Sequence, residues 1–240
     1  MNKSFFIIII LIICFISFLI TNFINQIEYF LIDSGIPGST LLLIAGTHGN
    51  EPAGTVGLEE FIKTNIKIKK GKIIVIPRVN NIGLALDLRW GFNGFFPIDY
   101  NREYPNKYSE KGGDYINRDI IEYVKISDFI VDFHEGWGFN ILEPESMGSG
   151  IYPSNTELAK KIGNQILDNL NNTIIDENKK FTINFTSPRI PNTLDYYCNE
   201  INKNYILIET SGQNNIQPLE IRTNQVLLVI NTLINKLGMN

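Results

Sequence analysis

The sequence predicts an α/β fold: a largely parallel sheet covered by helices on both faces, so three α/β/α layers. Two observations carry this. Short, near-continuously apolar runs alternate along the chain with longer stretches of helical spacing. Strands that are apolar on both faces also need helices on both sides of the sheet. In such sheets ligands bind at the carboxyl ends of the strands, so those ends are where chemistry is expected.

Leu41–Ala45 (LLLIA), Lys72–Ile76 (KIIVI), Phe129–Phe133 (FIVDF) and Tyr205–Ile208 (YILI) read as the buried strands, being β-branched or aromatic and mostly bounded by Gly, Asn or Ser. Between them Ala53–Asn65, Ile116–Lys125, Glu157–Leu170 and Gln217–Leu237 place Leu, Ile and Val at helical spacing. No internal repeat or low-complexity linker divides residues 29–240, which read as one domain. With 240 residues, 44% of them hydrophobic, the chain can bury a sizeable core. Its 21 basic residues against 25 acidic argue against nucleic acid as a partner. Two cysteines, Cys14 and Cys198, are too few for a disulfide framework.

Residues 1–28 read separately, as a membrane anchor or signal segment. Phe5–Ile20 has no charge and no helix breaker. Extended through Thr21–Ile24, a helix here reaches the roughly 30 Å of a bilayer core, which predicts a transmembrane helix. A cleaved signal reads similarly, but Phe18–Tyr29 offers no A-x-A-like site, and no small residue precedes Cys14 as a lipoprotein site needs. The retained anchor is therefore preferred over the secreted form, with a buried core helix as the third reading. Lys3 precedes the span and the next basic residue is Lys63, so the domain is expected on the outer or lumenal side.

The chain has only two histidines, His48 and His134, and both fall just past the carboxyl end of an apolar strand. The first lies in GTHGNEPAG with Glu51 three residues on, the second in DFHEGWG between Asp132 and Glu135. Two imidazoles and a carboxylate make three N/O ligands, which with an open position is the pattern of a catalytic zinc site. Magnesium and calcium prefer all-oxygen shells. The alternative is that each histidine is a hydrogen-bonded structural residue. Competing motifs fail: HEGWG lacks the second His of H-E-x-x-H, GNEPAGT lacks the P-loop Lys, and no G-x-S-x-G elbow occurs. Cys198 reads as a buried structural thiol.

Three further positions are candidates. Arg102, in DYNREYP, is either a bidentate grip for a carboxylate or a surface ion pair. Arg89, in DLRWG, is either surface or site. Glu209 directly follows YILI, so it faces the strand-end crevice as a general base or stands as an exposed acid.

The order of GTHGNEPAG, PRVNNIG, DYNREYP, SDFIVDFHEG and ILIET resembles the M14-type zinc hydrolases, and within them the succinylglutamate desuccinylase/aspartoacylase branch and its carboxypeptidase relatives. The resemblance runs from about Leu41 to Gly212 and implies a zinc carboxypeptidase-like catalytic domain in residues 29–240. It further implies one zinc ion held by His48, Glu51 and His134, with Asp99 orienting the first histidine. Asn101 and Arg102 would hold the substrate's free carboxylate, Glu209 would act as general base and acid, and Arg89, or alternatively Arg78, would stabilise the oxyanion.

The implied function is hydrolysis of an amide bond beside a free carboxylate, as a deacylase of N-acyl amino acids. A carboxypeptidase acting on peptides is the alternative, and a membrane-tethered zinc-binding module without activity is a further one. Asn192–Tyr197 resembles the segment before the substrate-covering loop of carboxypeptidases, making Tyr196 and Tyr197 candidate lid phenols. Only about thirty residues follow Glu209, so the C-terminal β-domain of the deacylase branch is not expected, which implies a more open site and a larger substrate.

Overall fold

The computed structural model describes residues 3–24, 27–93, 96–106, 115–186 and 189–240. Residues 94 and 95 of the Gly- and Phe-rich loop before Asp99, and residues 1, 2, 25 and 26 of the N-terminal segment, lie outside them.

Seven described strands form one sheet: β1 (Phe30–Asp33), β2 (Thr40–Ala45), β3 (Lys72–Ile76), β6 (Phe129–Gly136), β7 (Gly150–Pro153), β8 (Thr182–Ile183) and β9 (Asn204–Ser211). A separate small hairpin pairs β4 (Gly91–Asn93) with β5 (Phe96–Ile98). The spatial order is β1-β3-β2-β6-β9-β7-β8. The four central strands β3, β2, β6 and β9 are mutually parallel, and they are the four that the apolar runs predict. The edges turn the sheet mixed, since β1 runs antiparallel to β3 and β7 antiparallel to β9.

Helices cover both faces, as expected. On one side α2 (Pro52–Lys63), α5 (Glu157–Asn171) and α7 (Leu219–Lys236) enclose Leu41, Leu43, Val131, Phe133, Ile206 and Ile208. On the other, α4 (Tyr115–Ile126) and α6 (Leu194–Glu200) pack with Tyr100 and Tyr104 over Leu42, Ile44, Ile130, Tyr205 and Leu207. Successive strand residues thus feed alternate cores. One further short helix, α3 (Asn81–Leu86), follows β3.

Two glycines of GTHGNEPAG explain how the loop after β2 is built. Gly46 ends the strand at φ +73°, a conformation that favours glycine. A Cβ on Gly54 would come within 2.7 Å of Phe133 and 2.9 Å of Ala45, so glycine lets α2 seat against β2 and β6. That close seating brings the start of α2 over the strand ends.

The N-terminal expectation needs correction. Lys3–Ile24 does form a helix, α1, and Phe5–Phe15 on it are exposed. Among the described residues, however, no helix is long and apolar enough to cross a membrane. The structure therefore gives the predicted transmembrane helix no support.

Candidate metal centre and substrate cavity

His48, Glu51 and His134 converge although they come from a loop, a helix start and a strand. Glu51 is the N-cap residue of α2, yet its side chain makes no capping bond and turns to the strand ends instead. His48 Nδ1 lies 2.9 Å from Glu51 Oε1, and His134 Nδ1 lies 2.9 Å from Glu51 Oε2. The two Nδ1 atoms are 3.1 Å apart. One ligand atom from each residue falls within 4.8 Å of the others, and all three residues are buried.

The outer ring nitrogens are held by acids. Asp99 Oδ1 is 3.1 Å from His48 Nε2, and Asp132 Oδ2 is 3.1 Å from His134 Nε2. A carboxylate that accepts from Nε2–H leaves Nδ1 as a free lone pair, the tautomer a metal needs. With metal–ligand bonds of about 2.0–2.1 Å, donor atoms around a tetrahedral zinc lie roughly 3.3 Å apart, close to the observed spacings. Donor type and spacing fit one zinc ion, and an acid stands at each outer ring nitrogen to hold the required tautomer.

Asp99 is itself positioned locally. It caps the 3-10 turn Tyr100–Arg102, accepting from Asn101 N at 2.9 Å. Its second oxygen accepts from Arg89 Nη2 at 3.1 Å, and Arg89 Nη1 reaches Glu51 Oε1 at 3.3 Å. Of the two candidate arginines, Arg89 therefore lies at the site. Arg78 pairs instead with Glu59 on α2, outside the cavity.

Electrostatics follow the same geometry. Burial pushes the Glu51 carboxyl up, but His48 and His134 outweigh it and hold it well below the usual range. Asp99 is likewise raised by burial and lowered further by His48, Arg89 and Arg102. Burial disfavours a charged His134, yet Asp132 and Glu51 reverse this and raise it well above the ordinary value. Glu209 behaves differently. Burial, with Glu51 and Asp132 nearby, pushes its carboxyl up to about 8 against the pull of His134 and Arg89.

A cavity of about 320 Å³ opens from the centre. His48, Glu51, Arg89, His134 and Glu209 line it together with Asn101 and Arg102, so seven of the eight predicted site residues share one space. The eighth, Asp99, lies behind His48. Asn101 Oδ1 accepts from Leu194 N at 3.1 Å, tying the Asn–Arg turn to the start of α6. The asparagine of PRVNNIG plays a supporting part: Asn80 caps α3 and donates from its backbone N to Gly46 O at 2.8 Å, bracing the His48 loop.

The sequence reading missed several residues here. Asp132 was visible beside His134, but its bond to Nε2 depends on β6 placing residues 132 and 134 on one face. Gln213 donates to Glu51 Oε1 at 3.0 Å from a loop 162 residues away, with no local signal. Among the described residues the cavity phenols are Tyr152 and Tyr205; neither Tyr196 nor Tyr197 lines it, and Tyr197 packs against the core beneath α6.

Residues 37–139 match the succinylglutamate desuccinylase/aspartoacylase catalytic domain. No curated protein matches the chain by sequence. Among solved structures, product-bound cell shape determinant protein Csd4 from Helicobacter pylori superposes with a TM-score of 0.75 at 20% identity, over 90% of this chain and 56% of that one. The mDAP-bound form of the same protein, described as a D,L-carboxypeptidase, gives 0.72 at 19% identity, over 88% and 55%. A succinylglutamate desuccinylase from a Silicibacter species gives 0.61 at 17%, over 89% and 61%. The chain spans little more than half the length of Csd4, and at these identities the likeness is one of fold.

Proposed function

We propose that this chain, a member of the M14-type superfamily that includes the succinylglutamate desuccinylases and aspartoacylases, is a zinc-dependent hydrolase of an amide bond next to a free carboxylate. The observation that carries the proposal is the shared cavity, which sets Glu209 and the Asn101–Arg102 turn around the three converging donors. Zinc bound by His48, Glu51 and His134 would supply a Lewis acid that polarises the scissile carbonyl and acidifies water.

The chain's own residues do the rest. Arg102 and Asn101 grip the carboxylate and so fix the register of the scissile bond. Glu209, whose carboxylate takes no hydrogen bond among the described residues, accepts the proton of the attacking water and returns it to the leaving amine. A carboxyl near 8 is poised for the second of these tasks, and a cation in the site would draw it down toward the first. Arg89 meets the developing oxyanion from its place between Glu51 and Asp99.

The substrate in this reading is an N-acyl amino acid. A carboxypeptidase reading is favoured by the cavity rim, where Trp137, 44% exposed, and Ile190, 50% exposed, would contact a longer chain. A panel of N-acyl amino acids against peptides with free C-termini, with metal-stripped protein as control, separates the two. Hydrolysis of neither class by zinc-loaded protein would leave a zinc-binding module. The apolar run Phe5–Ile20 supports a membrane-directing segment, retained or cleaved, with the catalytic part outside; N-terminal sequencing of the membrane fraction tests it.

A further inference from the structure

Beneath the centre lies a buried ion pair that the chemistry above does not use. Glu135 follows His134 on β6 and borders the cavity, but strand alternation turns its carboxylate to α2 and α7. There its Oε2 accepts a hydrogen bond from Arg222 of α7, with the two side chains 0% and 1% exposed. Its Oε1 accepts from the backbone N of Ala53 at 2.7 Å.

Ala53 is the place where α2 needs a partner. Glu51 occupies the N-cap but makes no capping bond, and Pro52 at the first helical position has no N–H to offer. Ala53 therefore carries the first free donor of the helix, and a residue from the neighbouring strand caps it. An anion at this end also meets the positive end of the α2 dipole. Arg222 neutralises the buried carboxylate, and Gly212 leaves the space: a Cβ there would collide with both side chains.

The backbone of the same residue holds Glu51 directly. Glu135 N donates to Glu51 Oε2 at 3.1 Å. Glu135 O accepts from Gln213 Nε2 at 2.6 Å, and that amide also donates to Glu51 Oε1 at 3.0 Å. Cap, strand and ligand are thus bolted together at one residue.

We propose that Glu135 is a positioning residue for metal binding: by capping α2 in place of Glu51, it frees and fixes Glu51 as a ligand, while Arg222 keeps the buried cap charge-balanced. The inference rests on the zinc reading of the site. Removing one partner alone would strand a buried charge and risk unfolding, so the test compares two doubly neutral variants. E135A/R222M lacks the cap, and E135Q/R222M restores an Oε1 acceptor for Ala53 without restoring charge.

Zinc affinity is read by chelator competition, and the Ala53 amide by hydrogen exchange on metal-free protein, with thermal unfolding of both variants as the measure of folding. Losing the support behind a ligand typically weakens metal binding about 10–100-fold, and both variants keep the backbone bonds of residue 135 to Glu51 and Gln213, so the comparison isolates the cap. That loss is expected in E135A/R222M, with affinity in E135Q/R222M returning to within a few-fold of wild type, and with Ala53 exchanging faster only in the alanine variant. Equal zinc affinity in the two variants, or equal Ala53 protection, overturns the proposal. Wild-type protein that binds no zinc defeats the metal reading instead, and the exchange comparison still decides the cap.

Discussion

His134 and Glu209 are direct partners across the parallel strands β6 and β9. The register puts a candidate ligand and a candidate proton carrier on the same face of the sheet, at its carboxyl edge, without either strand leaving regular geometry. Both residues are nearly buried, 3% and 8% exposed, yet among the described residues only the His134 side chain has fixed hydrogen-bond partners. Glu209 is left facing the cavity.

Glu209→Gln keeps the shape of that face and removes the proton carrier. Turnover should fall by roughly 10²–10⁴-fold, while zinc content by elemental analysis stays at the wild-type level. A variant with wild-type kcat takes Glu209 out of the chemistry.

Metal-free protein offers a second reading of the same residue through its stability. The Glu209 carboxyl is raised from 4.5 to about 8 in the fold, so between those values the folded chain keeps a proton that the unfolded chain has lost. Stability from this group is therefore present below about pH 4.5 and falls as pH rises toward 8. Denaturant unfolding across that range should show a flatter pH dependence for Glu209→Gln than for wild type. Identical slopes would show that the carboxyl is not raised.

Arg102→Ala should separate binding from chemistry. Losing a charge-assisted grip on a carboxylate costs about 1.5–3 kcal/mol, or roughly a 10–150-fold rise in KM for carboxylate-bearing substrates. Esters without a carboxylate should be hydrolysed nearly as before. A matching loss on both classes would place Arg102 elsewhere in the account.

Asp132→Asn tests the partner of His134 Nε2. The amide can present its NH₂ or its oxygen to the ring and no longer enforces one tautomer, so zinc affinity should drop by about 10–100-fold. Chelator competition measures it, and undiminished affinity would assign Asp132 to packing with Tyr205, whose hydroxyl lies 3.4 Å from Asp132 Oδ2.

Much of this was legible in the sequence because the strands that position the site are apolar on both faces. The four central strands and the four long helices packed on the sheet announce themselves by composition and period. The edge strands do not: β8 has two residues, and β1 is largely exposed, so neither shows a buried pattern. Because β7 went unrecognised, Tyr152 could not be placed in the cavity. The centre was readable from two histidines beside acids at strand ends. The pairing of Glu135 with Arg222 was not, since it joins residues 87 apart through the alternation of β6 and the packing of α7.

Zinc stoichiometry of the purified protein tests the central claim most directly. Wild type should carry one zinc per chain, and His134→Ala, which removes one of the three donors, should carry almost none while remaining folded. A fully zinc-loaded His134→Ala protein, or a folded wild type that takes up no zinc, would contradict the assignment of His48, Glu51 and His134 as a metal centre.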